Sequence, residues 1–137
     1  MYNFEVKYHG VSFIGDGVYL KRCEDTKGKA LIGTDEEHFR PMFDKVCTEG
    51  REVFLKEVSG TDGKYGLWQT GDGMFAIINS KIIAKVTRAK TARLFTTGKL
   101  DVVAITDKHN VLIGFVMPTK IGLDEFRTHP EYHKLAD

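Results

Sequence analysis

No stretch of this chain stays apolar for long. Runs such as "VVAI" at 102–105 fall far short of the ~20 residues that a membrane-spanning helix requires, so no crossing of a membrane is expected. The first ten residues, "MYNFEVKYHG", place Glu5 and Lys7 where the apolar stretch of an export signal would lie, and no such signal is expected. Cysteine is scarce. Cys23 and Cys47 are too few for a disulfide scaffold and fit a reducing compartment, which makes a cytoplasmic location the expectation. Proline is confined to positions 41, 118 and 130, and no Pro- or Ser-rich linker, low-complexity run or internal repeat divides the chain. Residues 1–137 are therefore expected to form a single domain.

What is present suits a globular protein. An apolar share of 42% beside 28% charged residues excludes the disordered and membrane-embedded classes. A chain of 137 residues buries roughly 68% of its unfolded surface on folding and needs no staple. The near-neutral charge of +1 hides an asymmetry. Residues 1–80 carry ten Lys/Arg against thirteen Asp/Glu, a net of −3, and residues 81–137 carry ten against six, a net of +4.

The pattern of apolar residues predicts an α+β fold. Phe4, Val6 and Tyr8 alternate with polar residues, which is the period of a half-buried strand. Strands are expected at 18–23 and 29–33, joined as a hairpin through "EDTKGK" with Gly28 in the turn. Thr34 and Glu37 have the form of a capping box, and the acidic "DEE" at 35–37 suits a helix start. Pro41 is expected at an early position of a main helix over about 41–49, with a short turn before it. Phe39, Met42, Phe43, Val46 and Cys47 follow the spacing of a buried helical stripe, and Gly50 is a natural stop. Strand candidates follow at 52–58, 64–70, 74–78, 81–87, 100–106 and 110–117. They are separated by turns at Asp62-Gly63, at Gly71-Asp72-Gly73 and at "DKHN" (107–110). An antiparallel, twisted sheet with one packed helix and a short C-terminal helical tail is the architecture these signals describe.

Motifs for chemistry are sparse. The glycines of "SGTDGKYGLWQTGDG" (59–73) lack the spacing and the strand-to-helix setting of a phosphate loop, and turns account for them. Tyr65 and Trp68 within that stretch are candidates for stacking on bases, with burial in the core as the competing reading. His129 and His133 have the i, i+4 spacing of a metal pair, but Pro130 interrupts it and no third ligand accompanies them. His38 and His109 are expected in capping or solvated positions. No metal, cofactor or catalytic residue is assigned, and an enzyme with a site assembled from dispersed residues remains a third option.

The one lopsided feature is "SKIIAKVTRAKTARLFTTGK" (80–99). It holds Lys81, Lys85, Arg88, Lys90, Arg93 and Lys99 and no Asp or Glu. Lys81 and Lys85 share a face whether the segment is strand or helix, and as a helix Arg88 joins their stripe. This segment is the candidate site for nucleic acid or a phosphate-bearing ligand. The bland alternative is a solvated face neutralised by the acidic N-terminal part. The pI of 7.8 is below the range of dedicated nucleic-acid domains. The expected function is a small intracellular, non-enzymatic binding protein. A protein-interaction module or inhibitor is the alternative, and self-association into a homo-oligomer is left open.

Overall fold

Alternating residues from Phe4 onward shape the first strand of a computed structural model that describes residues 4–23, 32–33 and 36–135. In β1 (Phe4–Tyr8), Val6 and Tyr8 are buried and Lys7 is exposed. β2 (Val11–Gly15) folds back on it, with Tyr8 opposite Val11. The two residues between them, His9 and Gly10, have φ of 51° and 77°, as a primed two-residue hairpin turn requires. β3 (Tyr19–Arg22) continues the meander.

The expected hairpin between 18–23 and 29–33 is not formed. β3 lies between β2 and β10 (Leu112–Val116), and β4 (Ile32–Gly33) instead pairs in parallel with β1. Tyr19 and Leu20 are both buried, and they belong to different core clusters. A strand with apolar residues on both faces is stabilised by a central place in a sheet rather than by a terminal hairpin. Residues 24–31, which include the predicted turn, lie outside the described residues, as do Thr34 and Asp35.

α1 spans Glu36–Glu49 and runs through Pro41 without a break into two elements. Proline removes one backbone donor from the ladder. Phe39, Met42, Phe43 and Val46, on both sides of it, pack on one cluster, so tertiary contacts hold the turn that local propensity disfavours. Phe43 stacks face to face on Phe115 at 4.0 Å between ring centroids, and Tyr8 meets it edge-on at 5.5 Å. Cys47 departs from the expected stripe and is exposed. At 3.6 residues per turn it sits about 80° around the helix from Phe39, on the flank of the buried face.

The remaining strands are β5 (Arg51–Ser59), β6 (Tyr65–Gln69), β7 (Phe75–Asn79), β8 (Arg93–Thr96), β9 (Val103–Thr106) and β11 (His133–Lys134). Among the described residues ten strands run in one hydrogen-bonded path, β4-β1-β2-β3-β10-β9-β8-β5-β6-β7, and β11 adds to β5. Every pairing except β1 with β4 is antiparallel. The fold is α+β. The turns at Asp62-Gly63, 71–73 and 107–110 join the strands as expected; Asp62 and Asn110 take left-handed φ values of 56° and 63°.

Residues 80–86 form a helix, α2 (Ser80–Val86), where a strand over 81–87 had been a candidate. The Asn79 side chain accepts a hydrogen bond from the Lys81 N–H at 2.9 Å, which is the N-cap arrangement. Ile82, Ile83 and Val86 then turn inward onto a cluster that includes Val53, Ile78, Leu94, Ile105 and Val116. Gly114 makes this docking possible. A Cβ there would lie 2.4 Å from Val86 Cγ1 and 2.6 Å from the Leu20 carbonyl oxygen. The Thr119 N–H reaches the Ile77 carbonyl at 2.8 Å, so the chain beyond β10 returns to β7 and the sheet curls around this cluster. In β9 the two faces are both covered. Val103 and Ile105 belong to the α2 side and Ala104 to the α1 side.

The C-terminal tail is helical at α3 (Leu123–Thr128), whose Phe126 is fully buried against Leu67 and Ile77. Glu57, 5% exposed, clamps it. Arg127 donates two hydrogen bonds to the Glu57 carboxylate, at 3.0 and 2.9 Å, and the Tyr132 hydroxyl donates a third at 2.9 Å.

A candidate phosphate-binding face

Capping at Asn79 and the inward turn of Ile82, Ile83 and Val86 dictate where the charges of α2 point. Lys81, Lys85 and Arg88 are exposed and line one shallow open depression together with Ser80 and Ala84. Lys81 and Lys85, at i and i+4, share one stripe of α2. The helix ends at Val86 and Thr87 is extended, so Arg88 lies beyond it and joins the two lysines by lining the same depression rather than by the helical spacing expected for it. Lys85 in the last turn also complements the negative end of the helix dipole. Lys90 follows, exposed, in the turn that closes with the Ala92 N–H on the Ala89 carbonyl.

None of these four makes an ion pair among the described residues. Three acids of the N-terminal part pair with arginines elsewhere. Asp72 pairs with Arg51 at 2.6 Å, Glu52 with Arg93 at 2.6 Å and Glu57 with Arg127 at 2.9 Å. Hydrogen bonds from Thr70 and Arg51 hold the Asp72 carboxyl down to about 2. Glu52 is held below the ordinary glutamate range chiefly by its hydrogen bond from Arg93.

The structure divides the six cations of 81–99. Arg93 is not with the others. Its guanidinium donates to both Glu52 oxygens, at 3.0 and 2.6 Å, and to Asn110 Oδ1. It lies over the Phe95 ring at 5.2 Å. Residues 93–96, which had no strand prediction, are β8, and pairing with β5 brings Arg93 beside Glu52. Lys99 sits in a different depression, with its ammonium 5.8 Å from the Phe75 ring centroid.

Tyr65 and Trp68 are separated too. Tyr65 packs with the Leu67 and Phe126 cluster and Trp68 with the Val53 cluster, so the two rings lie on opposite faces of β6 and share no platform. Trp68 packs on the cluster that also receives Ile82, Ile83 and Val86, on the inner side of α2, whereas Tyr65 lies beside the start of the helix. It stands opposite Asn79 in the β6–β7 ladder, with the Lys64 ammonium 5.3 Å from its ring centroid. The Ser80 hydroxyl donates to the Lys64 carbonyl at 3.1 Å. Lys64 is thus tied to the start of α2, a neighbour that its position in the sequence, ahead of two strands, gave no reason to expect.

Among the described residues the other reactive side chains are dispersed. His129 closes α3 and its Nδ1 accepts from the Glu131 N–H, whereas His133 is in β11. Among the described residues no group of three His, Cys, Asp or Glu could hold a metal ion. The Tyr8 hydroxyl donates to Asp44 Oδ1 at 2.6 Å, and His9 Nε2 lies 3.9 Å from that oxygen. Burial, foremost, raises the Tyr8 phenol above its ordinary range, and partial desolvation, foremost, raises the Cys47 thiol although Cys47 as a residue keeps exposed surface. A thiol raised in this way stays protonated at neutral pH and is a poor nucleophile. The side chains of Glu36, Glu37 and His38 lie outside the described residues. No described helix is long and apolar enough to cross a membrane. Comparison with protein-family models, curated proteins and solved structures gave no match.

Proposed function

We propose that this protein binds nucleic acid through the outer face of α2, with Lys81, Lys85 and Arg88 as phosphate contacts and Lys90 extending the face. One observation carries the reading: Lys81, Lys85 and Arg88 are exposed around one depression and, with Lys90, have no acidic partner among the described residues, while Arg51, Arg93 and Arg127 are each paired. A solvated face neutralised from within the molecule would place carboxylates beside the stripe. Uncompensated cations instead attract the phosphate backbone, and their contacts are independent of base sequence.

The test is a salt titration of binding by fluorescence anisotropy, comparing the parent with Lys81→Glu, Lys85→Glu and Arg88→Glu combined. Loss of three phosphate contacts flattens the dependence of log affinity on log salt by roughly 2.7 units on duplex DNA, or about 2 on single strands. Thermal melts serve as the folding control, since exposed charges contribute little to stability. A slope shared by parent and variant places the site elsewhere. An absence of binding even at low salt refutes the nucleic-acid reading and favours a protein partner. For that second reading the structure offers adjacent exposed apolar residues on β5, Phe54 at 50% and Leu55 at 37%.

A further inference from the structure

Lys99 has a setting unlike that of the α2 cations. Its depression is bounded by β7, by the turn before β9 and by the segment leading into α3. Its floor is apolar. Phe75 and Ile121 pack partly buried against the cluster of Leu67, Ile77 and Phe126. Leu100 stands at the mouth, 54% exposed. Two cations flank this floor, Lys99 and Lys120, both exposed, and no carboxylate lines it. Neither lysine makes an ion pair among the described residues.

We infer that this depression is a second binding site, independent of the α2 face, for an aromatic phosphate monoester such as a nucleoside monophosphate. Concave sites that combine an apolar floor with a few converging polar groups are the usual form of a small-molecule pocket. Two ammonium groups of like sign with no counter-ion raise the local potential for an anion and match a doubly charged phosphate. The aromatic part has its own receptor. The Phe75 ring now interacts with the Lys99 ammonium, so one movement of that flexible side chain bares the ring for stacking and carries its charge to the phosphate. The α2 depression has no comparable floor, being lined by Ser80, Ala84 and the three cations. For that reason the α2 face is assigned a polymer backbone and this pocket a ligand with a ring.

The test uses 1-naphthyl phosphate as probe, with inorganic phosphate and 1-naphthol as the charge-only and ring-only controls, followed by amide chemical-shift mapping. The expected result is saturable one-to-one binding of the naphthyl phosphate, with the largest shifts at Phe75, Leu100 and residues 119–123. Each control binds at least tenfold more weakly, and adenosine monophosphate displaces the probe. Lys99→Gln combined with Lys120→Gln lowers affinity by about tenfold, the order expected for two partly exposed charge contacts, without changing the melting temperature. The variant with Lys81, Lys85 and Arg88 reversed binds the probe as the parent does, which separates this site from the nucleic-acid reading. Shifts centred elsewhere overturn the inference. So do equal binding of 1-naphthol and its phosphate, and an unchanged affinity in the Lys99 and Lys120 variant.

Discussion

Replacing Phe43 by alanine is the most direct test of how α1 is held. Phe43 is 1% exposed and lies between the Phe115 ring, stacked at 4.0 Å, and the edge of Tyr8 at 5.5 Å. Truncation removes the transfer free energy of a buried benzyl group and leaves a void, together costing about 3–5 kcal/mol. The stacked ring contacts contribute about 0.5–1.5 kcal/mol of the interaction at this site beyond area alone. An existing apolar cavity beside Phe43, bordered by Phe4, Phe39 and Met42, would merge with the new void, so collapse around the alanine brings little relief. The upper half of the range is therefore expected. Urea unfolding followed by circular dichroism measures it, with an unchanged m-value as the sign that the compared states are the same. A loss below about 1 kcal/mol would mean that α1 is not anchored by this stack. Phe54→Ala is the internal control. Half of Phe54 is exposed, and its truncation should cost no more than about 0.5 kcal/mol.

Gly114→Ala should destabilise by about 1–3 kcal/mol, since the new methyl overlaps Val86 and the Leu20 carbonyl and must lift α2 or bend β10; a neutral result in urea unfolding would contradict this packing. The Glu57 carboxyl is held below the ordinary glutamate value of 4.5 chiefly by the Arg127 hydrogen bonds. Its contribution to stability is thus full above that value and lost as pH falls through the lowered one. Glu57→Gln should flatten the decline of stability with acid below about pH 4.5, and a decline identical to that of the parent would exclude Glu57 as a source. Trp68, the sole tryptophan, packs half-buried on the Val53 cluster. Its emission should fall between core and solvent values with partial quenching by acrylamide, and complete quenching would contradict the packing.

The helical stripe of α1 was legible because Phe39, Met42, Phe43 and Val46 repeat at the helical spacing and Gly50 follows. Residues 80–86 were ambiguous for a physical reason. Ile82, Ala84 and Val86 alternate as in a strand, while Ile82, Ile83 and Val86 share a helical face, and the Asn79 cap together with the curled sheet decides for the helix. β8 was hidden because "RLFT" is four residues long and reads as the end of a basic run. Its buried Thr96 is satisfied by bonds to loop carbonyls at Gly98 and Val102, which no local pattern announces. The six cations of 81–99 looked like one set in the sequence. Arg93 leaves it through Glu52, 41 residues away in the chain, and Lys99 leaves it through a turn that faces Lys120.

The seat of β3 beside β10 also governs how this chain must fold. Residues 19–22 find their lasting neighbour more than ninety positions later, and the meander β1-β2-β3 presents an open edge until that neighbour arrives. Closing so long a loop comes before the contacts that reward it, so strand pairings of this kind slow folding to milliseconds or seconds. During synthesis the N-terminal meander waits with Tyr19 and Leu20 uncovered. Such an edge is a template for pairing with another chain, which makes the interval before β10 emerges the stage at which this protein is most exposed to aggregation.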